Sequence, residues 1–391
     1  MKCKTGKKRV LLLLLLAVLV TRLSGCAPKE ENLTVSGFAF DTMYTITLYQ
    51  GGSQEVLDSC VERCSGYEKV FSRTLPESEL YQINELEQIY GEIIMSEKYL
   101  QGKQKASDSE EKYTQEEIAD ITGRIGQEKP EKNMVDFTLR ADGSMEFTVS
   151  DMLCDILQTG LRYSKASKGN FDITIAPVTS LWDFKAEDPK VPDGKAIKEA
   201  LKYVDYRKLS IEGNHLSMMQ PGQKIDLGGI AKGYIADDLK KYLQEQGVSG
   251  ATINLGGNVL CIGEKNDGEA FRIGIQQPFA DRNETAAVVG IKDLSVVSSG
   301  IYERYFRTED GKLYHHIMNP KTGYPFENDL YGVTILSDDS VDGDALSTTC
   351  FALGKEKGME YINSLDDVYA LFITSDGKLW YSEGFKAYIL E

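Results

Sequence analysis

The chain has 391 residues, 41% hydrophobic and 27% charged, with 60 acidic against 44 basic side chains and a formal net charge of −16. A protein this acidic repels nucleic-acid phosphates and anionic lipid headgroups, which excludes a nucleic-acid role and attachment to a membrane through a basic patch. Its seven cysteines are odd in number and irregularly spaced, so they form no disulfide framework, and no Cys/His spacing suits a metal.

The first 26 residues read MKCKTGKKRVLLLLLLAVLVTRLSGC: a basic start, an apolar run from Val10 to Val20, then small residues before Cys26. That pattern is an export signal rather than a fold element, and the run is too short to span a bilayer as a helix. The LSGC ending, Leu23 to Cys26, resembles the lipobox of bacterial lipoproteins, in which the cysteine is lipidated and becomes the mature N-terminus. A signal anchor that stays uncut is the alternative. The expected organisation is a signal peptide over 1–25, a short polar tether over 26–36 that starts at lipidated Cys26, and a single body over 37–391. The expected location is the extracytoplasmic face of a bacterial cell membrane, held by acyl chains. Loss of residues 1–25 would remove six lysines and arginines and no acid, leaving a still more acidic body.

From Gly37 the segment FAFDTMYTITLY predicts a strand. Residues 54–71 predict a helix, with Val56, Leu57, Cys60, Val61, Cys64 and Tyr67 at helical spacing; Cys60 and Cys64, one turn apart, read as packing residues. The stretch 86–134, which includes YLQGKQKASDSEEKYTQEE, has few apolar residues and no clean period. It predicts a charged, solvated insertion with some helix and little prospect of chemistry. IAKGYIADDLKKYLQEQG spaces Ala231, Ile235, Leu239 and Tyr242 along one helix face and ends at Gly247. ATINLGGNVLCIG then reads as strand, glycine turn, strand. Strands and helices mix without a regular βαβ repeat, which predicts an α+β body of one or two lobes rather than a doubly wound sheet.

Four stretches carry candidate chemistry. In KIDLGGIAKGY, residues 224–234, Gly228 and Gly229 precede a helix, so main-chain groups can approach a ligand with no Cβ in the way. A helix start offers unpaired N–H groups to phosphate, and Lys232 adds a cation. A glycine-led helix with a solvated lysine is the plainer alternative, and the spacing is neither that of a P-loop nor of GxGxxG. NLGGN, residues 254–258, is a second glycine turn that can be a simple hairpin. In YHHIMNPKTGYP, residues 314–325, strand neighbours point to opposite faces, so only one of His315 and His316 can face a common site; structural and catalytic histidine are both open there. In DDSVDGDALSTTCFALG, Asp344 and Thr348 stand four apart. On a helix both oxygens face one way and suit a hard cation such as Mg2+, while Asp344 could equally cap the apolar run from Leu346 to Leu353.

Together, DLGGIAKGY, INLGGN, HHIMNPKTGYP and DALSTT, in this order, resemble the ApbE-type FAD:protein FMN transferases, flavin-transferring lipoproteins of bacteria. FDTMYTI resembles that family's Met-Gly-Thr-x-Tyr strand, FSRTLPESEL its Ser-x-x-x-x-x-Ser-Glu loop, and GNFDITIAPVTSLWDF its Gly-x-Phe-Asp…Leu-Trp-x-Phe segment. The resemblance covers the chain after the leader except the charged insertion. It implies a two-lobed α+β body with the flavin site between the lobes, and transfer of FMN from FAD to a threonine or serine hydroxyl of a partner protein, with release of AMP. By resemblance, Asp226 and Lys232 contact FAD, and the Gly229 carbonyl, Asp344 and Thr348 hold Mg2+ against the phosphates. His316 takes the proton of the acceptor hydroxyl. Phe40, Thr74, Asn170, Phe171, Asp172 and Ile317 fall where the family lines its flavin or adenine. The implied acceptor is an extracytoplasmic redox protein with an Asp-x-x-Ser/Thr-Gly-Ala-Thr-like segment.

The sequence departs from the family pattern at Phe40, where methionine is common, at Asp41, where glycine is usual, and at Thr74, which replaces a frequent tyrosine. Other readings of the same residues are an Mg2+-dependent FAD pyrophosphatase, with water as acceptor, and a lipoprotein that binds flavin without catalysis. A further one makes DALSTT itself the flavinylated segment, but Thr348 occupies that pattern's glycine position.

Overall fold

The computed structural model describes residues 32–96, 112–129, 135–281 and 284–390; the expected signal peptide, Cys26 and the expected tether up to residue 31 lie outside them. Leu33–Glu391 cluster as one unit. The first elements are β1 (Leu33–Ala39), β2 (Thr42–Gln50), α1 (Gln54–Phe71), α2 (Glu79–Met95) and α3 (Gln115–Glu128). Next come β3 (Phe137–Leu139), β4 (Met145–Thr148), α4 (Asp151–Ala166), α5 (Ala176–Thr179), α6 (Gly194–Leu201), β5 (Leu209–Glu212) and β6 (His215–Met218). Then follow α7 (Ala231–Glu245), β7 (Gly250–Leu255), β8 (Asn258–Gly263), β9 (Phe271–Gln276), β10 (Thr285–Ile291), β11 (Ser295–Gly300), β12 (Tyr305–Arg307) and β13 (Leu313–His315). The chain closes with β14 (Leu330–Ser337), α8 (Ser340–Leu353), α9 (Lys355–Asn363), β15 (Tyr369–Thr374) and β16 (Leu379–Tyr381). Among the described residues no helix is long and apolar enough to cross a membrane.

Eight strands form an antiparallel sheet in the order β1-β2-β7-β8-β11-β14-β15-β16. A second antiparallel sheet, β3-β4-β6-β5, has four strands. The α+β expectation therefore holds. The period-2 geometry of a strand explains the layers. Leu260, Ile335 and Phe372 point into the core shared with α1, α7 and α8, while their neighbours Cys261, Leu336, Leu371 and Ile373 point the other way, under the β9–β10 hairpin. A strand covered on both faces has no solvent side to be polar on, so β14 reads LYGVTILS, nearly all buried. At the open end β1 alternates partly buried and exposed residues, the pattern of a strand with one wet face.

The predicted helix over 54–71 is α1, started by Ser53, whose hydroxyl accepts from Val56 N–H at 3.4 Å. Cys60 and Cys64 face the core, and burial pushes their thiols up to about 11 and about 12. The predicted hairpin is β7–β8: Leu255 pairs with Asn258 across Gly256 and Gly257, both at positive φ, as a two-residue turn requires.

Three expectations need correction. The tether stops at Asn32, because Leu33–Ser36 already pair with Thr45–Leu48 as the start of β1. FAFDTMYTITLY is no single strand but the end of β1, a turn at Phe40–Asp41 and β2. That turn contains no glycine, and its one turn-forming residue, Asp41, follows a phenylalanine, which is a weak signal. The described parts of 86–134 are also less solvated than the composition of that stretch predicts. Its first ten residues belong to α2, whose inner face buries Leu80, Ile83, Leu86, Tyr90 and Ile93, and Ile121 and Ile125 of α3 are buried too. The helical period is hidden because two positions on that face are polar, Asn84 and Glu87.

Those two side chains fasten the loop that leads to Asp226. Asn84 Nδ2–H donates to the Ile225 carbonyl at 2.9 Å and Asn84 Oδ1 accepts from Ile225 N–H at 2.7 Å. Glu87 accepts from Gly222 N–H at 3.1 Å, and burial raises its pKa well above the carboxylate range. Asn84→Leu would strip both partners from Ile225, and each unpaired buried backbone group costs about 1–3 kcal/mol. Urea unfolding should show a loss of about 3 kcal/mol; a loss under about 0.5 kcal/mol would mean the loop holds without this clamp.

Candidate active site

α8 starts at Ser340, so Asp344 lies in its second turn and is not its cap. The cap comes from another helix: Asp237 of α7 accepts from Ser340 N–H at 2.7 Å and Val341 N–H at 2.9 Å. Burial lifts the Asp237 carboxyl to about 7 against the pull of those two bonds. α7 and α8 cross closely at Gly233, where an added Cβ would lie 2.5 Å from the Val341 Cα.

The crossing presents Gly233 N–H to Asp344 Oδ2 at 2.7 Å. On its other oxygen Asp344 accepts from Asn258 Nδ2–H at 3.0 Å, and Asn258 in turn accepts from the Ser340 hydroxyl at 2.7 Å. The glycine turn of β7–β8 is thus both a hairpin and the mount for a side chain that aims Asp344. The Lys232 ammonium stands 3.9 Å from Asp344 Oδ1. Asp344 itself is only 5% exposed. Thr348, one turn further along α8, is half-buried.

The two histidines diverge as strand geometry requires. His315 turns inward: its Nε2 faces the Phe326 carbonyl at 3.0 Å and its Nδ1 accepts from Ile317 N–H at 3.3 Å. A carbonyl only accepts, so His315 is a neutral Nε2–H imidazole with both nitrogens engaged, and burial lowers its pKa to about 4. His316 is half-buried. Its Nδ1 lies 3.3 Å from the Arg304 carbonyl, which also accepts from His316 N–H at 3.1 Å. The same reasoning puts the proton on Nδ1 and leaves Nε2 as a lone-pair acceptor. Desolvation first, then repulsion from His315, which gains its own proton only near pH 4, and from Arg304 and Lys232, push the His316 pKa down to about 3, opposed by the bond to the Arg304 carbonyl. His316 thus lies within electrostatic reach of Lys232, which stands 3.9 Å from Asp344.

Asp226 sits in a second group. Its Oδ2 accepts from the Thr179 hydroxyl at 2.9 Å and pairs with Arg73 Nη1 at 3.0 Å, while its Oδ1 accepts from Gly228 N–H at 2.9 Å. Neither Gly228 nor Gly229 has a positive φ. What Gly229 supplies is space: a Cβ there would come 2.8 Å from the Phe171 ring. Asn170 accepts from the Lys321 ammonium at 2.7 Å, which joins the 170–172 turn to the loop after Ile317. Asp172 is buried, and its oxygens are taken by Thr174 N–H and hydroxyl at 2.8 and 2.7 Å and by Tyr206 N–H at 3.2 Å. It shapes the turn beneath Phe171. Phe40 packs partly on the core, with its N–H donating to Glu68 at 2.9 Å. Ile317 is buried and Thr74 is exposed.

Residues 92–372 match the family model described as the ApbE family. The chain belongs to the ApbE family. It is 40% identical over 238 residues to the FAD:protein FMN transferase of Klebsiella pneumoniae (strain 342), covering 60% of this chain and 73% of that protein. It is 36% identical over 257 residues to the protein of the same name from Treponema pallidum (strain Nichols), covering 62% and 71%. Among solved structures, the ApbE protein of Thermotoga maritima superposes with a TM-score of 0.70 at 26% identity, over 92% of this chain and all of that one. The flavin transferase ApbE of Vibrio cholerae matches in fold, with a TM-score of 0.69 at 24% identity over 92% and 99%.

Within this ApbE-family chain, sequence reasoning passed over several residues that shape the site. Arg73 lies inside FSRTLPESEL and ends on Asp226, Asn258 lies inside NLGGN and ends on Asp344, and Arg304 holds His316 through its main chain. For Arg73 and Asn258 the motifs were the only signal. A backbone carbonyl such as that of Arg304 leaves no trace in side-chain identity.

Proposed function

We propose that the protein is an Mg2+-dependent FAD:protein FMN transferase. It moves FMN from FAD to a threonine or serine hydroxyl of an extracytoplasmic redox protein and releases AMP, while lipidated Cys26 holds it on the outer face of the cell membrane. The observation that carries this reading is the buried carboxylate of Asp344, fixed by Gly233 N–H and Asn258 and standing 3.9 Å from the Lys232 ammonium, whose charge also acts on His316. The names borne by the family's relatives support it.

The donor chemistry fits Mg2+. Asp344, Thr348 and the Gly229 carbonyl offer a carboxylate, a hydroxyl and a carbonyl, all hard oxygens, and each Asp344 oxygen spends only one acceptor site on the protein. Among the described residues no group of three or more His, Cys, Asp or Glu side chains could hold a metal, which suits an ion that completes its shell with substrate phosphates and water. Bound there, Mg2+ would neutralise charge on the pyrophosphate.

The chain's own residues supply the rest. Lys232 balances phosphate charge. The acceptor hydroxyl gives its proton to His316 Nε2 while its oxygen bonds to the FMN phosphorus, and the phosphorus–oxygen bond to AMP breaks. AMP leaves with that oxygen, so no further reactant is needed. His316 is neutral at physiological pH, and the Arg304 carbonyl at its Nδ1 leaves the Nε2 lone pair to receive the proton.

The test is intact-mass analysis of a domain that carries an Asp-x-x-Thr-Gly-Ala-Thr segment, incubated with residues 27–391, FAD and Mg2+. The expected result is a gain of one FMN, abolished by EDTA. AMP release with no adduct would point to hydrolysis, and neither product would leave a flavin-binding protein.

A further inference from the structure

The β1–β2 turn is built from two residues in the left-handed region, Phe40 at φ 55° and Asp41 at φ 62°. A bulky residue such as Phe40 disfavours that conformation and aspartate adopts it only less readily than glycine, and the family motif resembled by FDTMYTI usually has glycine at the second position. A strained residue persists where the surroundings over-determine it. Around Asp41 they do: its Oδ2 is shared by Arg304 Nη2 at 3.0 Å and by the Lys185 ammonium. These cations come from segments 263 and 144 residues away.

All three side chains are about half exposed, at 50%, 45% and 56% for Asp41, Arg304 and Lys185. Exposed ion pairs add little stability, so the bridge is poorly explained as a stabilising device. What it fixes is the position of Arg304. The main-chain carbonyl of that residue receives His316 N–H at 3.1 Å and faces His316 Nδ1 at 3.3 Å. The turn is itself pinned from behind by Glu68, which accepts from Phe40 N–H at 2.9 Å.

We propose that Asp41 is a positioning residue for His316: by holding Arg304 and Lys185 it fixes the Arg304 carbonyl that orients the imidazole and selects its Nδ1–H tautomer. Glycine at this position would make the turn without strain and would leave that carbonyl held only by its bond to His316 N–H and the adjoining β12–β13 pairing. The catalytic half of the inference rests on His316 being the base. The orientation half does not.

The experiment pairs Asp41→Gly with Arg304→Lys in residues 27–391 and reads two quantities. The first is the tautomer of His316, by nitrogen-15 NMR of a protein with three histidines. The second is FMN transfer at saturating FAD. Asp41→Gly relieves the backbone, so misfolding is not its expected fate. It should give mixed His316 tautomers and a kcat lower by about tenfold with KM for FAD unchanged, as a small misplacement of a reacting group does. Arg304→Lys, which can keep an ion pair to Asp41, should retain both the tautomer and most of the rate. An Asp41→Gly protein with a pure Nδ1–H tautomer overturns the proposal, as does a mixed tautomer with an unchanged kcat. If the unsubstituted protein transfers no FMN, the transferase reading fails, and the tautomer comparison still decides whether Asp41 sets the ring.

Discussion

Asp344→Asn should lower FMN transfer by about a thousandfold or more, equivalent to roughly 4 kcal/mol of lost transition-state stabilisation, and should abolish the response to added Mg2+. Asparagine keeps an oxygen for Gly233 N–H, 2.7 Å away, and a flip of the Asn258 amide would turn its oxygen to the new NH2 group, so the α7–α8 crossing survives. What is lost is the negative charge that faces Lys232 and would ligate the ion. Alanine is the less informative change. It would leave Gly233 N–H and Asn258 Nδ2 without their acceptor, at a cost of about 1–3 kcal/mol each, and would mix folding with chemistry. Rates would be followed by AMP release across an Mg2+ titration. An asparagine variant with the unsubstituted rate and the same Mg2+ requirement would remove Asp344 from the metal site.

His316→Ala should slow transfer by about a hundred- to ten-thousandfold, the usual contribution of a general base, with FAD affinity nearly unchanged. The pH profile gives an independent reading. A base works in its unprotonated form, and His316 is held down to about 3, below the ordinary 6.5. The acid limb of kcat/KM, which reports the free enzyme, should therefore be flat through pH 6–7 and fall only towards pH 4 and below. A limb with its midpoint near 6.5 would mean that the imidazole is neither buried nor crowded by cations during turnover. The same depression sets the sign of the stability effect. Folded His315 and His316 have pKa values of about 4 and about 3, so between those values and 6.5 the unfolded chain binds the protons. Their contribution is complete above pH 6.5 and is lost as pH falls through that window. Urea midpoints measured from pH 8 to 5 should decline accordingly.

The sequence is most legible where local pattern and tertiary burial agree. Helix α1 could be read to its ends because its apolar spacing is regular and a serine starts it. The β7–β8 hairpin was marked by two glycines in its turn. The family motifs singled out Asp344, His316 and Lys232; the structure sets Lys232 3.9 Å from Asp344 and within electrostatic reach of His316. Legibility fails where a polar residue does a core residue's work. Asn84 and Glu87 interrupt the stripe of α2 because they serve the backbone at Ile225 and Gly222, so a packed helix reads as a solvated insertion. It also fails across long separations. The cap of α8 is Asp237, about a hundred residues upstream, so Asp344, just ahead of the apolar run, looked available for that task. Asp41 in a left-handed turn is the mirror case, since its reason lies in Arg304 and Lys185 rather than in its neighbours.

The close crossing at Gly233 bears on how such proteins can be recombined. Lys232 and Asp344 sit on different helices, yet the missing side chain between them lets the two helices behave as one part made in two pieces. A chimera that took IAKGY from one homologue and DALSTT from another would inherit two halves of a fitted joint from different makers. Any mismatch there would appear first as a changed gap between cation and carboxylate, in a protein that otherwise folds. The two segments, far apart in the gene, should be exchanged together or not at all.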